Sequence, residues 1–391
     1  MNCRICDGTS FGDVIDLGTM PLVNNLLHAP DDECPRWPLR AVYCRDCSLM
    51  QLTESPPPDL MFSDYCYFSS QSETMVEHAR NLVERHVRPG QRVVEIASND
   101  GYLLRHALEL GAMVLGVDPA ENIARYANER GVNTRCEYFN EQTAKQIRAD
   151  WGEADVMFAN NVLAHAGDPN EIAAGIKILL AAQGFAHIEV PYVVSLIESG
   201  AFDTIYHEHQ CYFSVSALRR LFHRHDLKIV GVEAISIHGG SLHVTIAHGG
   251  DENQANYMCE QEQALGLTGD SYYASFAANV QSIRTHLLAE IDRFESIGGY
   301  GAAAKAVVML NYFGLDETRI PWVADVSPHK QNRYLPGTRQ RVVAPEFLIE
   351  AKPEACVLFP WNIAEEITRR NSTYVEQGGR FIIPIPEGCV V

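Results

Sequence analysis

Residues 206–214, YHEHQCYFS, place four titratable side chains in an unbroken row: Tyr206, His207, Glu208 and His209. A histidine whose pKa is near neutrality is a natural general base, and a neighbouring carboxylate can orient it or share its proton. In an extended segment Tyr206 and Glu208 would point to one side and both histidines to the other, so Glu208 and His209 converge only if the chain turns. We predict that His209 is the base, with Glu208 and Tyr206 beside it, and that His207 points away as a structural residue.

Composition and charge limit the functions open to this chain. Its 391 residues suggest about two or three domains, and 46% hydrophobic and 21% charged residues are typical of a soluble globular protein. No apolar run approaches the roughly 20 residues of a membrane helix, and the N-terminus lacks the pattern of a signal peptide, so we expect a cytoplasmic protein that does not bind membranes. The net charge of -19 argues against nucleic-acid binding but is compatible with one small anionic ligand in a local pocket.

Two C-x-x-C pairs, Cys3/Cys6 and Cys44/Cys47, are separated by 37 residues, which a hairpin could fill. Each pair can present two thiolates from one turn, and together they would complete a tetrahedral Zn²⁺ site; four unrelated thiols would show the same pattern. Such a site has no open position. We therefore expect structural zinc in a lobe of residues 1–70 that is too small for a core of its own. The other seven cysteines fit free thiols better than a disulfide framework.

The middle of the chain, residues 71–285, alternates apolar strand patterns with helical patterns. Its strands are predicted in RVVEIA, AMVLGVD, EADVMFANN and QGFAHIEVP. This alternation is typical of a parallel sheet covered by helices, which binds ligands at the carboxyl ends of its strands.

The turn after the first of these strands contains Asn99, Asp100 and Gly101, and Gly101 lets the backbone approach a ligand. Asp118 ends the second strand, 23 residues after Glu95, where an acid can bind ribose hydroxyls. Nicotinamide cofactors and S-adenosylmethionine share this layout. However, the turn lacks the G-x-G-x-x-G fingerprint, and Asp100 would repel a pyrophosphate. The loop therefore favours the cationic S-adenosylmethionine, and hence a methyltransferase over a dehydrogenase.

Further candidates follow the third and fourth strands. Tyr138 and Phe139 could stack on adenine or simply be core aromatics. Asn160 and Asn161 lie at the end of the fourth strand and face the predicted cofactor crevice. His165, just beyond them, is either a helix-start histidine or a residue of the reaction centre.

The C-terminal residues, 286–391, show a second α/β alternation. Gly301 and Lys305 could hold a phosphate through backbone N–H groups and one ammonium, or the turn could merely connect two elements. Lys330 and Arg333 follow in a basic turn. In the segment SDYCYFSSQS, aromatic and hydroxyl side chains could line a pocket or form a buried aromatic cluster.

Across nearly its whole length the chain resembles the three-domain sugar C-methyltransferases, which act on nucleotide-linked 4-keto-deoxysugars. The resemblance rests on CRIC…CRDC with LGTMPLVNNLL, YFSSQSETM, VVEIASNDGYLL, ANNVLAH, IYHEHQCYFS, GYGAAAK, NYFG, SPHKQNRYLPGT and FIIPIP. It implies an α/β chain with three parts: a small N-terminal zinc-binding lobe, a central Rossmann-like domain that binds S-adenosylmethionine, and a second Rossmann-like domain. A sugar nucleotide would bind between the lobes, in a monomer or small homo-oligomer.

The resemblance also implies roles for individual residues. Those lining the reaction centre would be Tyr206, Glu208, His209, His165 and Tyr65 or Tyr67. Those holding the cofactor would be Glu95, Ala97, Asn99, Asp100, Gly101, Asp118, Pro119, Tyr138, Phe139, Asn160 and Asn161. Those holding the substrate would be Ser69, Ser70, Gly301, Lys305, Lys330 and Arg333. The chain departs from the family at Ala97, where glycine is usual, and in AKAVVML, where the family tends to AKGNTLL.

The resemblance therefore implies methyl transfer to a carbon next to a ketone, which becomes nucleophilic once a base removes its proton. We leave open a non-sugar keto or enol acceptor, a catalytically silent binding protein and a nicotinamide oxidoreductase.

Overall fold

The computed structural model describes residues 1–57, 59–62, 68–385 and 389–390, which form three β-sheets with helices packed around them. The candidates Tyr65 and Tyr67 lie outside the described residues. The strands are β1 (Phe11–Pro21), β2 (Arg36–Cys44), β3 (Met50–Leu52), β4 (Arg92–Ile96), β5 (Met113–Val117), β6 (Thr134–Arg135), β7 (Ala154–Asn160), β8 (Leu180–Pro191), β9 (Cys211–Tyr212), β10 (Lys228–Ile235), β11 (Ser241–Ala247), β12 (Ile297–Tyr300), β13 (Trp322–Ala324), β14 (Arg341–Val343), β15 (Ala355–Leu358), β16 (Arg380–Ile383) and β17 (Cys389–Val390).

The α-helices of the described residues are α1 (Asp59–Phe62), α2 (Glu73–His86), α3 (Leu104–Glu109), α4 (Glu121–Glu129), α5 (Glu141–Trp151), α6 (Pro169–Leu179), α7 (Val193–Ser199), α8 (Val215–His223), α9 (Asn253–Leu265), α10 (Asp270–Tyr273), α11 (Phe276–Ile291), α12 (Ala304–Phe313), α13 (Phe347–Ala351), α14 (Ala364–Arg370) and α15 (Ser372–Glu376). Short 3₁₀ helices cover Ser69–Gln71, Leu163–His165, Phe202–Thr204, Ile237–Gly239 and Trp361–Ile363. Within these described elements, no helix is both long enough and apolar enough to span a membrane.

The N-terminal sheet is antiparallel, in the order β1-β2-β3-β9. Its β1–β2 hairpin occupies the stretch between the two cysteine pairs, as predicted. The fourth strand, β9, belongs to the YHEHQCYFS segment: Tyr212 pairs with Met50 and Cys211 with Gln51. One edge strand of the N-terminal sheet therefore comes from a distant part of the chain.

The central sheet has the order β10-β11-β8-β7-β4-β5-β6. Its strands β8, β7, β4, β5 and β6 are parallel, which confirms the predicted Rossmann-like arrangement. At one edge β10 and β11 add an antiparallel pair that the strand–helix alternation did not predict. Only residues 236–240 join these two strands, too short a connection for a parallel crossover, so they form a hairpin.

Helix α2 packs one face of the central sheet. Ser72 caps it by accepting a hydrogen bond from the N–H of Met75, and the buried residues Met75, Ala79, Leu82 and Val83 recur at helical spacing to form its apolar stripe. The stripe joins a core that includes Val93 of β4 and Phe158 of β7. This packing fixes α2 directly after the Ser69–Gln71 turn.

The C-terminal sheet has the order β14-β13-β12-β15-β16-β17, and only its β16–β17 pair is antiparallel. Its first helix, α12, is almost entirely buried. Residues Val308 and Phe313 of α12 share a hydrophobic core with Met20 of the N-terminal sheet and Phe202 of the central region. The three parts of the chain are thus packed against one another through this common core.

Candidate active site

The YHEH segment is a turn. The carbonyl of Tyr206 accepts a hydrogen bond from the N–H of His209 at 2.9 Å. Nδ1 of His209 lies 3.0 Å from the carbonyl oxygen of Thr204, which can only accept, so this nitrogen carries the proton. Nε2 of His209 therefore holds a lone pair, and the hydroxyl of Tyr206 donates to it at 2.7 Å. The turn therefore fixes the tautomer of His209 and places the phenol of Tyr206 in a hydrogen bond with the basic nitrogen of that ring.

Glu208 is buried in the same turn, and the amide nitrogen of Asn24 donates to its two carboxylate oxygens at 2.7 and 3.0 Å. Asn24 lies in the segment that follows β1, so the N-terminal lobe contributes a residue to the centre. The sequence patterns described above assign no role to Asn24. The available signal was its place in PLVNN, part of the motif on which the family resemblance rests.

His165 ends the 3₁₀ helix that follows β7, and its ring lies edge-on to that of His209, with centroids 4.8 Å apart. Burial lowers the pKa of His165 to about 4, while a hydrogen bond with the backbone of Glu208 acts in the opposite direction. His165 is therefore neutral near pH 7. His207 makes a different contact. It is buried, and its Nε2 donates to the carbonyl of Pro38 at 3.1 Å.

The turn after β4 has an unusual backbone. Ala97, Asn99 and Gly101 have φ angles of 52°, 48° and 79°, in the left-handed region. The carboxylate of Asp118 supports this turn, because it accepts hydrogen bonds from the N–H groups of Asn99 at 2.9 Å and Ala120 at 3.0 Å. Left-handed backbone at non-glycine residues costs energy, and two such residues in one short turn are compatible with a functional site.

The same turn concentrates negative charge. Burial, followed by the charges of Asp100 and Asp118, raises the pKa of Glu95 well above its usual range. Burial also raises the pKa of Asp118 to about 6. Among the described residues, Oε2 of Glu95, Oγ of Ser98 and Oδ1 of Asp100 are buried without a hydrogen-bond partner. Such unused acceptors can bind a cationic ligand that also carries hydroxyl and amino groups. S-adenosylmethionine is a ligand of this kind.

Other cofactor candidates are distributed around this turn. Asn160 ends β7, and both polar atoms of its buried amide lack a partner within the described part of the chain. Asn161 has a φ of 56°, and its N–H donates to the carbonyl of Glu189. Pro119 lies between Asp118 and α4, and its carbonyl accepts from the thiol of Cys136 at 3.6 Å.

Tyr138 and Phe139 differ in their solvent exposure. Tyr138 is 51% exposed, whereas Phe139 is buried in the core of the central domain. A Cβ at Gly175 would lie 2.6 Å from the ring of Phe139, which shows how closely α6 covers this ring. The position of Phe139 favours the core interpretation over adenine stacking.

Ser69 and Ser70 lie on the cofactor turn. The N–H of Ser69 donates to Oδ1 of Asn99 at 2.9 Å, and that of Ser70 donates to Oδ2 of Asp100 at 3.3 Å. The preceding ring of Phe68 stacks on His329 of the C-terminal domain, with centroids 5.5 Å apart. This segment therefore bridges the cofactor turn and the C-terminal domain.

Lys305 links the C-terminal domain to the YHEH turn. Its ammonium donates to Oδ1 of Asn362 at 2.8 Å and lies 4.0 Å from the ring centroid of Trp361. The indole N–H of Trp361 in turn donates to Asp203 at 2.8 Å, just before the YHEH turn. Burial lowers the pKa of Lys305 to about 8, and the charge of Asp203 opposes that shift.

The remaining residues predicted to bind substrate lie in two different places. Gly301 follows β12 with a φ of 87°, and a Cβ there would lie 2.2 Å from the ring of Pro360, so only glycine fits. Lys330 reaches the same turn, because its ammonium donates to the carbonyl of Ala302 at 2.9 Å. Arg333 instead contacts the ring of His28 in the N-terminal lobe at 2.6 Å.

The two cysteine pairs converge. Sγ of Cys3 lies 3.5 Å from that of Cys47, Sγ of Cys6 lies 3.7 Å from that of Cys44, and all four sulfurs lie within 4.8 Å of one another. Four thiolates about 2.3 Å from a tetrahedral zinc would be roughly 3.8 Å apart. The arrangement therefore fits Zn²⁺, and its four sulfur ligands make the site structural.

Three family models match the chain in succession: a zinc binding domain over residues 3–62, a methyltransferase domain over 70–232 and a C-methyltransferase C-terminal domain over 236–386. The C-methyltransferase NovU of Streptomyces niveus is 35% identical over 404 aligned positions, which cover 100% of this chain and 96% of NovU.

Solved structures resemble part of the chain. An S-adenosylmethionine-dependent methyltransferase of Anabaena variabilis is 14% identical, with 46% of this chain and 86% of that chain covered and a TM-score of 0.38. The magnesium protoporphyrin IX methyltransferase of Synechocystis PCC 6803 is 15% identical, with 45% and 82% covered and a TM-score of 0.35. The full-length match to NovU and the three successive family models show that the chain belongs to the family of zinc-containing, S-adenosylmethionine-dependent C-methyltransferases.

Proposed function

We propose that this enzyme methylates the carbon next to the ketone of a nucleotide-diphosphate-linked keto-deoxysugar. The observation that carries the proposal is the YHEH turn, in which Tyr206 donates to the lone pair of a histidine whose other nitrogen is held by Thr204. A C–H bond beside a ketone needs a positioned base and a donor for the enolate oxygen, and this turn offers both within one hydrogen bond.

His209 acts as the base in this mechanism. Its Nδ1–H remains on the carbonyl of Thr204, so Nε2 is the nitrogen that accepts the proton from carbon. The Tyr206 hydroxyl now on Nε2 turns to the developing enolate oxygen when the substrate binds. Glu208, fixed by Asn24, places a negative charge in the same turn, which favours the imidazolium that forms on His209.

His165 supports the same step as a neutral imidazole. Because its pKa lies near 4, it does not compete with His209 for the proton near pH 7. A neutral imidazole has one N–H, so His165 donates to the enolate oxygen only if that N–H leaves the backbone of Glu208 when the substrate binds. Tyr65 and Tyr67 stay candidates for a further donor. When bound, S-adenosylmethionine supplies the electrophilic methyl group that the enolate carbon attacks, and Glu95, Asn99, Asp100 and Asp118 would hold it.

The proposed acceptor follows from the cations of the C-terminal domain. Lys330 reaches the Gly301 turn through the carbonyl of Ala302, and Lys305 is the second residue of α12, which starts just after that turn. Two ammonium groups and the N–H groups of a helix start suit a diphosphate. Lys305 is also connected through Trp361 to Asp203, so a bound diphosphate would lie on the side of the chain that leads to the YHEH turn.

The test is incubation with methyl-labelled S-adenosylmethionine and a panel of acceptors, with mass spectrometry of the products. We expect transfer to nucleotide-linked 4-keto-deoxysugars and none to the same sugars without the nucleotide or to simple cyclic ketones. Transfer to the free ketones at equal rates would overturn the sugar-nucleotide acceptor.

The base step has its own measurement. In D₂O with S-adenosylhomocysteine in place of the methyl donor, we expect the enzyme to exchange the acidic C–H of the accepted sugar for deuterium. Methylation without any exchange, and with a hydroxyl or nitrogen as the methylated atom, would refute the enolate mechanism.

A further inference from the structure

Three histidines outside the proposed reaction centre converge between α2 and the central sheet. His86 ends α2, His187 lies on β8 and His243 lies on β11, and their candidate ligand nitrogens all lie within 4.8 Å of one another. His187 and His243 are buried and His86 is half-buried. The mechanism proposed above uses none of them.

The spacing of these nitrogens fits a shared cation. Nδ1 of His187 lies 3.2 Å from Nε2 of His243. Two imidazole nitrogens at about 2.0–2.1 Å from a tetrahedral Zn²⁺ are roughly 3.3 Å apart. Nε2 of His86 is buried without a hydrogen-bond partner among the described residues, which leaves its lone pair or its proton unused in the protein alone.

A carboxylate lies behind the cluster. Oε1 of Glu189 lies 3.5 Å from Nδ1 of His243, whose Nε2 is the nitrogen directed at His187. The same oxygen lies 2.7 Å from Nε2 of His78 on α2. A carboxylate on the outer nitrogen of a ligating histidine fixes its tautomer and strengthens it as a ligand, and this arrangement is typical of protein metal sites.

The charge state also suits ligands. Burial, reinforced by the neighbouring histidines, lowers the pKa of His187 to about 2, and burial together with the charge of His243 lowers that of His86 to about 4. Neutral imidazole is the form that binds a metal.

We propose that His86, His187 and His243 form a second metal site, separate from the four cysteines, for a divalent transition-metal ion of the kind that imidazole prefers, such as Zn²⁺, Ni²⁺ or Co²⁺. Three protein ligands leave a fourth position for water, and the half-buried His86 gives the ion a route in. A bound ion would tether α2, which directly follows the Ser69–Gln71 turn, to the two strands β8 and β11.

The experiment uses the full-length protein reconstituted with one equivalent of Zn²⁺ per chain, which fills the tighter four-cysteine site, and titrates it with Co²⁺. We expect one further equivalent per chain, with ligand-field absorption but without the thiolate-to-cobalt charge-transfer bands of a cysteine site. His86→Gln, which removes one half-buried ligand at a helix end, should weaken this uptake at least tenfold. His248→Gln, a half-buried histidine that follows β11 and lies outside the cluster, should leave it unchanged.

Thermal unfolding in the same samples separates ligation from misfolding. We expect Co²⁺ to raise the melting temperature of the wild type and of His248→Gln but not of His86→Gln, while the melting temperatures of the three zinc-containing proteins before cobalt is added stay similar. Equal cobalt uptake by His86→Gln, no second equivalent in the wild type, or a thiolate charge-transfer band on the second equivalent would overturn the proposal.

Discussion

The hydroxyl of Tyr206 lies 2.7 Å from Nε2 of His209, and Thr204 fixes the opposite side of the same imidazole at 3.0 Å. Base and phenol therefore belong to one unit: any movement of the Tyr206 proton toward substrate exposes the lone pair of His209. This relationship links the loss of a proton from carbon to the delivery of a hydrogen bond to the enolate oxygen.

Replacing His209 by asparagine should abolish most of the turnover and spare the cofactor site. We expect kcat to fall by about 10²–10⁴, the contribution typical of a positioned general base, while the Kd for S-adenosylmethionine stays within about twofold. Tyr206→Phe should also lower kcat, and the double variant should lose less than the product of the two single losses, because the residues act as a unit. Steady-state kinetics and calorimetry measure these quantities; wild-type kcat in His209→Asn would disprove the base assignment.

The matched control is His207→Gln in the same turn. His207 donates to Pro38 and belongs to the packing of the lobe, so its loss should lower the melting temperature without lowering kcat per folded molecule. A large loss of kcat in folded His207→Gln would mean that the assignment within the turn is wrong.

Asn24 should act as a positioning residue for Glu208. Hydrogen bonds to a charged group contribute about 1.5–3 kcal/mol each, so Asn24→Ala should lower kcat/KM by roughly ten- to a hundredfold. Asn24→Asp should be worse, because it sets a second carboxylate against Glu208 and disfavours the ionised pair. Asn25→Ala is the control, since Asn25 is exposed. If Asn24 positions Glu208, the acidic limb of the plot of kcat/KM against pH should shift in Asn24→Ala relative to the wild type. A purely structural role of Asn24 would not produce this shift.

Cofactor affinity should fall in acid because of Asp118. Burial raises the pKa of Asp118 to about 6, so this carboxyl is ionised at neutral pH and becomes neutral as the pH falls through that value. If the cationic cofactor binds the ionised form, its Kd should rise by about fourfold from about pH 7.5 to about pH 5.5. Titration calorimetry across this range gives the measurement. Asp118→Asn should bind more weakly at every pH with a flatter profile, and an equally steep profile in that variant would exclude Asp118 as the titrating group.

Ala97→Gly should stabilise the enzyme. A non-glycine residue in the left-handed region costs roughly 1–2 kcal/mol, and Ala97 has a φ of 52°. Glycine removes that cost but loses about 0.5–1 kcal/mol in chain entropy, so we expect a melting temperature higher by roughly 1–3 °C. Ala112→Gly, at a buried position without a positive φ, should lower it. A decrease in Ala97→Gly would contradict this account of the turn.

Local patterns were sufficient to predict the zinc lobe and most of the parallel strands of the central sheet, but not its β10–β11 hairpin. The strands β4, β5 and β7 follow from short apolar runs, and the cysteine spacing identified the zinc lobe, because these signals reside in contiguous sequence. The other features of the fold and of the candidate site depend on tertiary contacts. Phe139 and Tyr138 are adjacent and aromatic, yet only the packing of α6 shows that one of them is in the core.

The reaction centre itself shows why sequence alone was insufficient. The sequence alone did not decide between an extended segment, in which Glu208 and His209 would diverge, and a turn; in the structure the carbonyl of Tyr206 closes a turn on the N–H of His209. Asn24 comes from another lobe, and no spacing rule links it to Glu208. Both features depend on how residues far apart in the chain pack together.

The pairing of β9 with β3 has a consequence for biosynthesis. A ribosome releases the zinc lobe first, but the edge of its sheet next to β3 stays unpaired until Cys211 and Tyr212 have been made, after all the parallel strands of the central sheet. Such long-range strand pairing is slow to form and leaves an open edge that can aggregate in the meantime. The edge of the first lobe therefore stays open until the segment that carries the YHEH turn has been made, so a product that ends before Cys211 would lack the completed four-stranded sheet.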